Sequence, residues 1–297
     1  MKRGGWQLNS IDYIRPTTVD EALSLLTKYK DKARLLAGGT DLIVQMRGGR
    51  YQLDAVIDAK HIEELNQLTF NNQDGLVIGA AVPCYKIYGD EKIAQAYPGI
   101  MDSATLIGGI QIQGRATLGG NLMNAAPSAD AIPALIAHNA VANIVNSKGT
   151  RNVPVEEICS GPGRTNLAVG ELLVSISVPA PSKGFGARYI RFIPRNEMDI
   201  AVAGAGVSVQ LKNGKVEAAR VALASVAPTP LFVEAAGNSL VGKEPSDENI
   251  QTAADLAKDA AIPITDMRGT IEFRKHLCEV LTRRALHTAV ERAREEN

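Results

Sequence analysis

The sequence predicts a chain that mixes helices and strands and divides into two domains or three. Three observations carry this reading. The length of 297 residues exceeds what one ordinary hydrophobic core organises. Strand-like and helix-like patterns alternate over positions 1–60. The segment Pro179-Ala-Pro-Ser-Lys-Gly-Phe-Gly then interrupts the periodic pattern with residues that punctuate structure. We place boundaries accordingly at 1–60, 61–180 and 181–297.

Composition narrows the function classes. The chain is 45% hydrophobic and 22% charged, with 32 basic and 32 acidic side chains. Zero net charge argues against a broad nucleic-acid footprint, which needs a basic face. An aromatic content of 4% argues against base stacking. Cys84, Cys159 and Cys278 stand too far apart for a zinc site, an iron–sulfur cluster or a redox dithiol. His61, His138, His276 and His287 form no ligand pair and read as surface or satisfied core residues. Met-Lys-Arg-Gly-Gly-Trp at the start has no apolar region of a leader behind it. The most apolar stretch, Ala131 to Val145, is broken by Pro133, His138 and two asparagines, and is too short for a bilayer. The chain is expected to be soluble and cytoplasmic, with no integral membrane segment and no nucleic-acid partner.

The elements follow in order. Thr18 and Glu21 form a capping box before Val19, Ala22, Leu23 and Leu26, which share one helical face. Arg34 to Ala37 is a short apolar run ending at Gly38-Gly39, Thr40 to Met46 is helical, and Ala55 to Asp58 is the next strand. Leu68–Phe70 and Leu76–Ile78 flank Asp74-Gly75, a hairpin signal. The pattern predicts a helix over about 85–95. From Gly108 to Asn124 glycines recur without a regular period. Ala140–Val145 and Leu172–Val178 read as strands. Beyond the boundary, Ile200–Leu211 and Val216–Val226 are strands around Asn213-Gly214. Two helices close the chain, over about 247–260 and 270–294, the second with Phe273, Leu277, Val280 and Leu281 on one face.

Nucleotide fingerprints are missing. There is no GxxxxGK[ST], and Gly161-Pro162-Gly163 is followed by Arg164-Thr165-Asn166 where a dinucleotide fingerprint needs a third glycine. No nucleophile elbow or Ser/His/Asp spacing occurs, and no residue presents itself as a catalytic acid, base or nucleophile. Two glycine segments remain: Leu35-Leu36-Ala37-Gly38-Gly39-Thr40-Asp41-Leu42, and Thr117-Leu118-Gly119-Gly120-Asn121 followed by Asn124 and Asp130. Paired glycines let consecutive N–H groups converge on one point, and such nests hold phosphate oxygens. Thr40 and Thr117 each add a hydroxyl. Each pair alone could be no more than a tight turn. Two together, with no lysine in either, favour a diphosphate held by backbone donors. On this reading Gly119→Val should remove the ligand and leave the fold intact.

These residues carry a family resemblance that covers roughly residues 10–290. The chain resembles the FAD-binding medium subunit of the molybdenum hydroxylases, the group of bacterial carbon monoxide dehydrogenase, nicotine and caffeine dehydrogenases and the flavin domain of xanthine dehydrogenase. The motifs are Ala37-Gly38-Gly39-Thr40-Asp41-Leu42 and the run from Thr117 through Asn124-Ala125-Ala126-Pro127-Ser128-Ala129 to Asp130. Asp12-Tyr13-Ile14-Arg15-Pro16, Gly170-Glu171-Leu172-Leu173, Arg195 with Asp199-Ile200-Ala201, and Arg283-Arg284-Ala285 add support.

The resemblance implies an α+β fold: an FAD domain of the vanillyl-alcohol-oxidase (PCMH) type in two subdomains, then a C-terminal α+β domain. It implies pyrophosphate contacts at Ala37, Gly38, Gly39, Thr40 and Asp41, flanked by Leu36 and Leu42, and at Thr117, Leu118, Gly119, Gly120 and Asn121. It puts an acid near the adenosine half at Asp130, a residue beside the flavin or adenine at Ile107, a backbone contact at Leu173 and a cation near the flavin at Arg191. Where covalent relatives of the fold carry a histidine after the glycines, this chain has Thr40, which implies noncovalent FAD. The implied partners are a large molybdopterin-binding subunit and a small subunit with two [2Fe–2S] clusters, in a dimer of heterotrimers. In that scheme FAD in this chain receives the electrons and passes them to NAD, a quinone, O₂ or another acceptor. A stand-alone flavin oxidoreductase of the same fold and a non-catalytic nucleotide-binding protein are the alternatives.

Overall fold

A computed structural model describes residues 10–295; the N-terminal Met-Lys-Arg-Gly-Gly-Trp stretch lies outside them. The chain starts with β1 (Asp12–Ile14), α1 (Val19–Tyr29), β2 (Ala33–Leu36), α2 (Leu42–Arg47) and β3 (Ala55–Asp58). The three strands form a parallel sheet in the order β1-β3-β2. Thr18 caps α1 by accepting from the Glu21 amide. The Glu21 carboxylate returns to Thr17 N rather than to Thr18, so the box closes one residue early.

Next come β4 (Leu68–Asn71) and β5 (Gly75–Gly79), paired as the expected hairpin. The helix expected over 85–95 is two helices, α3 (Cys84–Tyr88) and α4 (Glu91–Ala96). Gly89 ends the first, and the Asp90 side chain caps the second through Lys92 N and Ile93 N. A glycine and an N-cap side by side stop one helix and start another. Helix α5 (Pro98–Ala104) follows, with proline in its first turn.

The glycine-rich stretch without a period holds two helices, α6 (Ile110–Gln113) and α7 (Leu118–Asn124). Both are too short for a 3.6-residue period to register. Helix α8 (Ala131–Ala137) has every residue buried, so its uniform hydrophobicity marks a core helix. Then come β6 (Val141–Asn146), β7 (Gly149–Pro154), the ribbon β8 (Cys159–Gly161) and β9 (Arg164–Thr165), and β10 (Leu172–Val178). The five-stranded sheet has the order β4-β5-β10-β6-β7. Side chains from both expected subdomains share one core, which includes Ala22 and Ile57 from the first and Leu76, Leu122 and Ile176 from the second.

The C-terminal region has β11 (Phe185–Phe192), β12 (Ala203–Lys212), β13 (Lys215–Ala224), β14 (Leu231–Phe232), α9 (Glu234–Asn238), α10 (Asp247–Ala260) and α11 (Ile271–Glu295). Strand β11 is an addition to the expected elements: it takes Phe185 and Gly186 from the boundary segment, which shrinks to 179–184. The antiparallel sheet runs β11-β12-β13-β14 and packs on α11. The buried face of α11 is Arg274, Leu277, Cys278, Leu281, Thr282 and Ala285. Phe273 is exposed and Val280 only half-buried, because the face rotates by about one residue from the expected stripe. The α+β class stands.

Candidate functional site

The first glycine segment leaves β2 at the end of the parallel sheet. Gly39 has φ +79°, a conformation that only glycine takes at no steric cost. At Gly38 a side chain would run into the Arg115 carbonyl. Arg115 Nε in turn donates to the Gly38 carbonyl at 2.9 Å. The two glycine segments, distant in sequence, are thus clamped face to face just before Thr117.

The second segment differs from the expected nest. Thr117 is the N-cap of α7, and its hydroxyl accepts from the Gly120 amide at 2.8 Å. Gly119 and Gly120 are helical, and the Gly120 amide is taken by the cap, so the segment offers its remaining first-turn amides and the positive end of the helix dipole instead of a left-handed turn. Asn121 Oδ1 accepts from Ala131 N at 3.1 Å, which ties α7 to α8. The glycines also have separate causes. A β-carbon at Gly119 would lie 2.5 Å from the Ala80 carbonyl oxygen and 2.6 Å from Ala80 Cα, whereas one at Gly120 would meet only the Thr117 hydroxyl, at 2.8 Å. Gly119 is needed for packing against the chain after β5; Gly120 leaves room for the Thr117 hydroxyl that caps the helix.

Together these segments border a cleft of about 500 Å³, a size usual for small-molecule and cofactor sites. Ala37, Gly38, Gly39, Thr40, Asp41, Leu42, Ile107, Thr117, Gly119, Gly120, Asn121 and Leu173 all line it. Leu35, Leu167 and Leu172 add apolar wall, and Lys30 and Arg34 add two cations. Arg34 stacks over the Tyr51 ring at 4.7 Å, with Arg50 also near that ring at 5.6 Å. Arg50 reaches on to Gly163 in the turn between β8 and β9. Burial raises the Asp41 carboxyl above the ordinary aspartate range. Backbone donors in the middle, hydroxyls of Thr40 and Thr117 beside them, cations nearby and apolar walls suit a diphosphate that joins flat apolar groups. The residues fit FAD.

Four expected residues lie elsewhere. Leu36 packs with Leu53 and Val56 under the parallel sheet, and Leu118 is fully buried in the main core. Asp130 is buried, accepting from Tyr189 Oη at 2.7 Å and from Arg191 Nη1 at 2.6 Å. Burial outweighs Arg191 and Tyr189 and pushes its carboxyl up to about 6. Arg191 lines a second cavity of about 290 Å³. These two side chains join the N-terminal region to β11 rather than bordering the cleft.

Lys30, Arg34, Tyr51, Gly163, Thr165 and the loop Leu167–Gly170 border the cleft and are absent from the sequence-based expectation. They come from separate places in the chain. Only Gly161-Pro162-Gly163 carries a local signal, and it reads as a failed dinucleotide fingerprint. The cysteines are free. Burial pushes the Cys84 and Cys278 thiols up to about 12 and that of Cys159 to about 11, far from a reactive thiolate. Among the described residues no group of His, Cys, Asp and Glu is placed to hold a metal ion.

Known proteins bear on this site. Residues 9–181 match the family model described as "FAD binding domain in molybdopterin dehydrogenase". Residues 188–289 match the "CO dehydrogenase flavoprotein C-terminal domain". The carbon monoxide dehydrogenase medium chain of Afipia carboxidovorans is 34% identical over 286 residues, covering 96% of this chain and 98% of the relative. A putative xanthine dehydrogenase FAD-binding subunit of Escherichia coli is 29% identical over 94% of this chain and 95% of its own length. Among solved structures, reconstituted CO dehydrogenase from Oligotropha carboxidovorans superposes with a TM-score of 0.91 at 33% identity, covering 96% of this chain and 99% of that one. Quinoline 2-oxidoreductase from Pseudomonas putida gives 0.88 at 25% identity, covering 97% and 99%.

Proposed function

The chain belongs to the family of FAD-binding subunits of molybdopterin dehydrogenases, and from that premise we propose that it is the flavin-bearing electron-transfer subunit of a multi-subunit molybdenum hydroxylase. The observation that carries the proposal is the cleft in which both glycine segments, locked by Arg115, present donors to one space. FAD, when bound, supplies the redox chemistry: it accepts electrons from the [2Fe–2S] clusters of a small partner subunit and yields them to an external acceptor. The residues of this chain bind and orient. First-turn amides of α7 and the amides of the Gly38-Gly39 turn meet the diphosphate, and the hydroxyls of Thr40 and Thr117 add donors. Ile107 and Leu173 supply apolar wall, and Lys30 and Arg34 offset negative charge. Thr40, following Gly38-Gly39, leaves no histidine there for a covalent link, so FAD is held noncovalently.

In this reading substrate hydroxylation belongs to a large molybdopterin-binding subunit, and the assembly is a dimer of heterotrimers. No helix among the described residues is long and apolar enough to cross a membrane, in keeping with a cytoplasmic complex. The test is purification of the chain alone and in its native complex. The chain alone should carry about one FAD, released by acid, without iron or molybdenum; both metals should appear when the partners co-purify. A chain without flavin would sink the proposal. A metal-free chain that oxidises an organic substrate by itself would instead establish a stand-alone flavin oxidoreductase.

A further inference from the structure

Gln45 on α2 and Asn124 at the end of α7 meet inside the cofactor cleft. Both line it, and Gln45 Nε2 donates to Asn124 Oδ1 at 2.8 Å. They come from the two segments that carry the paired glycines. Gln45 lies four residues after Asp41, and Asn124 four after Gly120, so each shares a helical face with the start of its own helix. Side chains on a helix lean toward its N-terminus, which keeps both amides within about one turn, roughly 5 Å, of the first-turn N–H groups. Backbone contacts fix both positions. Gln45 N donates to the Asp41 carbonyl, and the Gln45 carbonyl accepts from Arg50 N, each at 2.9 Å. Asn124 precedes Ala125, whose φ of +48° is left-handed, a conformation that costs energy for a residue with a side chain. The Ala125 carbonyl accepts from Gly163 N at 2.9 Å, which holds that turn in place.

The bond between the two amides does not exhaust them. A side-chain amide carries two donors and two acceptor lone pairs, and this bond takes one donor of Gln45 and one lone pair of Asn124. Among the described residues, no protein group bonds Asn124 Nδ2 or Gln45 Oε1. Both residues are half-buried, so an open donor and an open acceptor stand side by side in the cleft. We infer that this amide pair binds the hydroxyl-bearing carbons next to the diphosphate. A hydroxyl accepts from Asn124 Nδ2 and donates to Gln45 Oε1, and so satisfies both. The inference rests on the proposed FAD and names the group that this part of the cleft addresses. A phosphate offers only acceptor oxygens and leaves Gln45 Oε1 unmet. The flat rings of FAD begin beyond the hydroxyl-bearing carbons on each arm, whereas the amides stay within about one turn of the diphosphate donors. Such carbons occur on both arms, in the ribityl chain and in the ribose of the adenosine. Backbone N–H groups at the glycines suit any diphosphate; the amide pair adds a requirement for a hydroxyl beside it.

The test uses the native complex, freed of flavin with a chaotropic salt and titrated with FAD while flavin fluorescence is followed. A wild-type complex that takes up no FAD would overturn the proposed function, and this inference with it; that outcome is read before any other. The probes are FAD without the 2′- or the 4′-hydroxyl of its ribityl chain, and FAD without the 2′- or the 3′-hydroxyl of its adenosine. At least one probe should bind the wild type about tenfold more weakly than FAD, the loss expected for one hydrogen bond; the arm it belongs to identifies the source of the hydroxyl. Gln45→Met and Asn124→Leu remove the polar atoms at similar volume, and methionine keeps the helix propensity of α2. Each variant should bind FAD about tenfold more weakly and should no longer tell FAD from that probe. A merely structural role predicts otherwise, because a distorted cleft weakens FAD and the probe alike and preserves their ratio. Gln45→Met carries the comparison if Asn124→Leu does not fold. A wild type that binds all four probes as it binds FAD, or a folded variant that still discriminates as the wild type does, would overturn the assignment.

Discussion

A methyl group at position 119 meets backbone, and one at position 120 meets only the Thr117 hydroxyl. This contrast revises the expectation that Gly119→Val removes FAD and leaves the fold intact. With Ala80 backbone atoms 2.5–2.6 Å from the added carbon, Gly119→Ala should cost about 1–3 kcal/mol by overpacking, and valine more. Gly120→Ala presses only on the capping Thr117 hydroxyl, so it should cost no more than about 1 kcal/mol of stability and bind FAD roughly tenfold more weakly, about 1.4 kcal/mol. Urea denaturation and flavin titration on the two variants check this; equal stability losses would take Gly120 out of the site. A second residue-scale prediction concerns pH. His138 is buried between the rings of Tyr97 and Phe185, and its pKa is pushed down to about 4 by burial. The unfolded chain takes up this proton near the ordinary value of about 6.5. Stability from His138 is therefore complete above about 6.5 and falls toward pH 4, by up to about 3 kcal/mol. Asp130 acts in the opposite sense. With a folded pKa of about 6 against about 3.9 unfolded, the folded state holds the extra proton between those values, so this group makes stability rise as pH falls from 6 to 4. Wild type should show a shallow profile. His138→Gln should gain stability relative to wild type as pH falls through 6 to 4, and Asp130→Asn should lose it. Parallel profiles for all three proteins in urea melts would refute this.

At the scale of elements, short helices are held by their ends and by charged side chains that cross between regions. Thr117 both caps α7 and borders the cleft, so Thr117→Val should cost about 1 kcal/mol of stability and weaken flavin binding as well. Asp102 on α5 accepts from Arg188 Nη1 on β11 at 2.6 Å and from Arg292 Nη1 on α11 at 2.7 Å. It also accepts from the Tyr189 amide at 3.2 Å. Removing it leaves two arginines facing each other at a half-buried junction. Asp102→Ala should cost about 2–3 kcal/mol, less than for a fully buried pair, because Arg188 is one-third exposed. Circular dichroism melts in urea measure it; a loss no larger than an exposed ion pair gives would mean that apolar packing alone holds the junction. Element by element, local chemistry was legible where it was strong: the cap at Thr18, the hairpin at Asp74-Gly75, the turn at Asn213-Gly214. It failed for α6 and α7, each two turns or fewer, and for β11, whose Phe185-Gly186 start resembles a linker.

At the scale of the whole molecule, α8 sits between the two halves. A side chain at Gly206 on β12 would run into the Pro133 carbonyl. Ser208 Oγ donates to the Ala137 carbonyl at 2.6 Å, and Arg220 Nε to that of Ile136 at 2.7 Å. The C-terminal sheet thus covers a helix that the N-terminal half supplies. A fragment ending at residue 181 should expose α8, aggregate and lack the cooperative melt of the full chain; a soluble, cooperatively folding fragment would refute this. FAD at a hundred times its dissociation constant should stabilise the full chain by about 2.7 kcal/mol, seen as a higher melting temperature that scales with added flavin. A melting temperature indifferent to FAD would count against the cleft as its site.

The sequence by itself determined the class of ligand and singled out the two glycine segments that border the cleft. Paired glycines before a hydroxyl are a local signal, because backbone access depends on the residues at that point and little else. It also determined where most strands and both long helices run, since periodic burial is written along a single element. Only the tertiary structure decided why each glycine is there: Gly38 for Arg115, Gly119 for Ala80, Gly120 for the Thr117 cap. Only it moved Asp130 and Arg191 off the cleft into a buried pair, and brought Lys30, Arg34, Tyr51 and the loop after Gly163 onto it. Those outcomes depend on side chains that meet from distant parts of the chain. No local pattern records such a meeting, because the packing that enforces it is shared among elements that carry no common spacing.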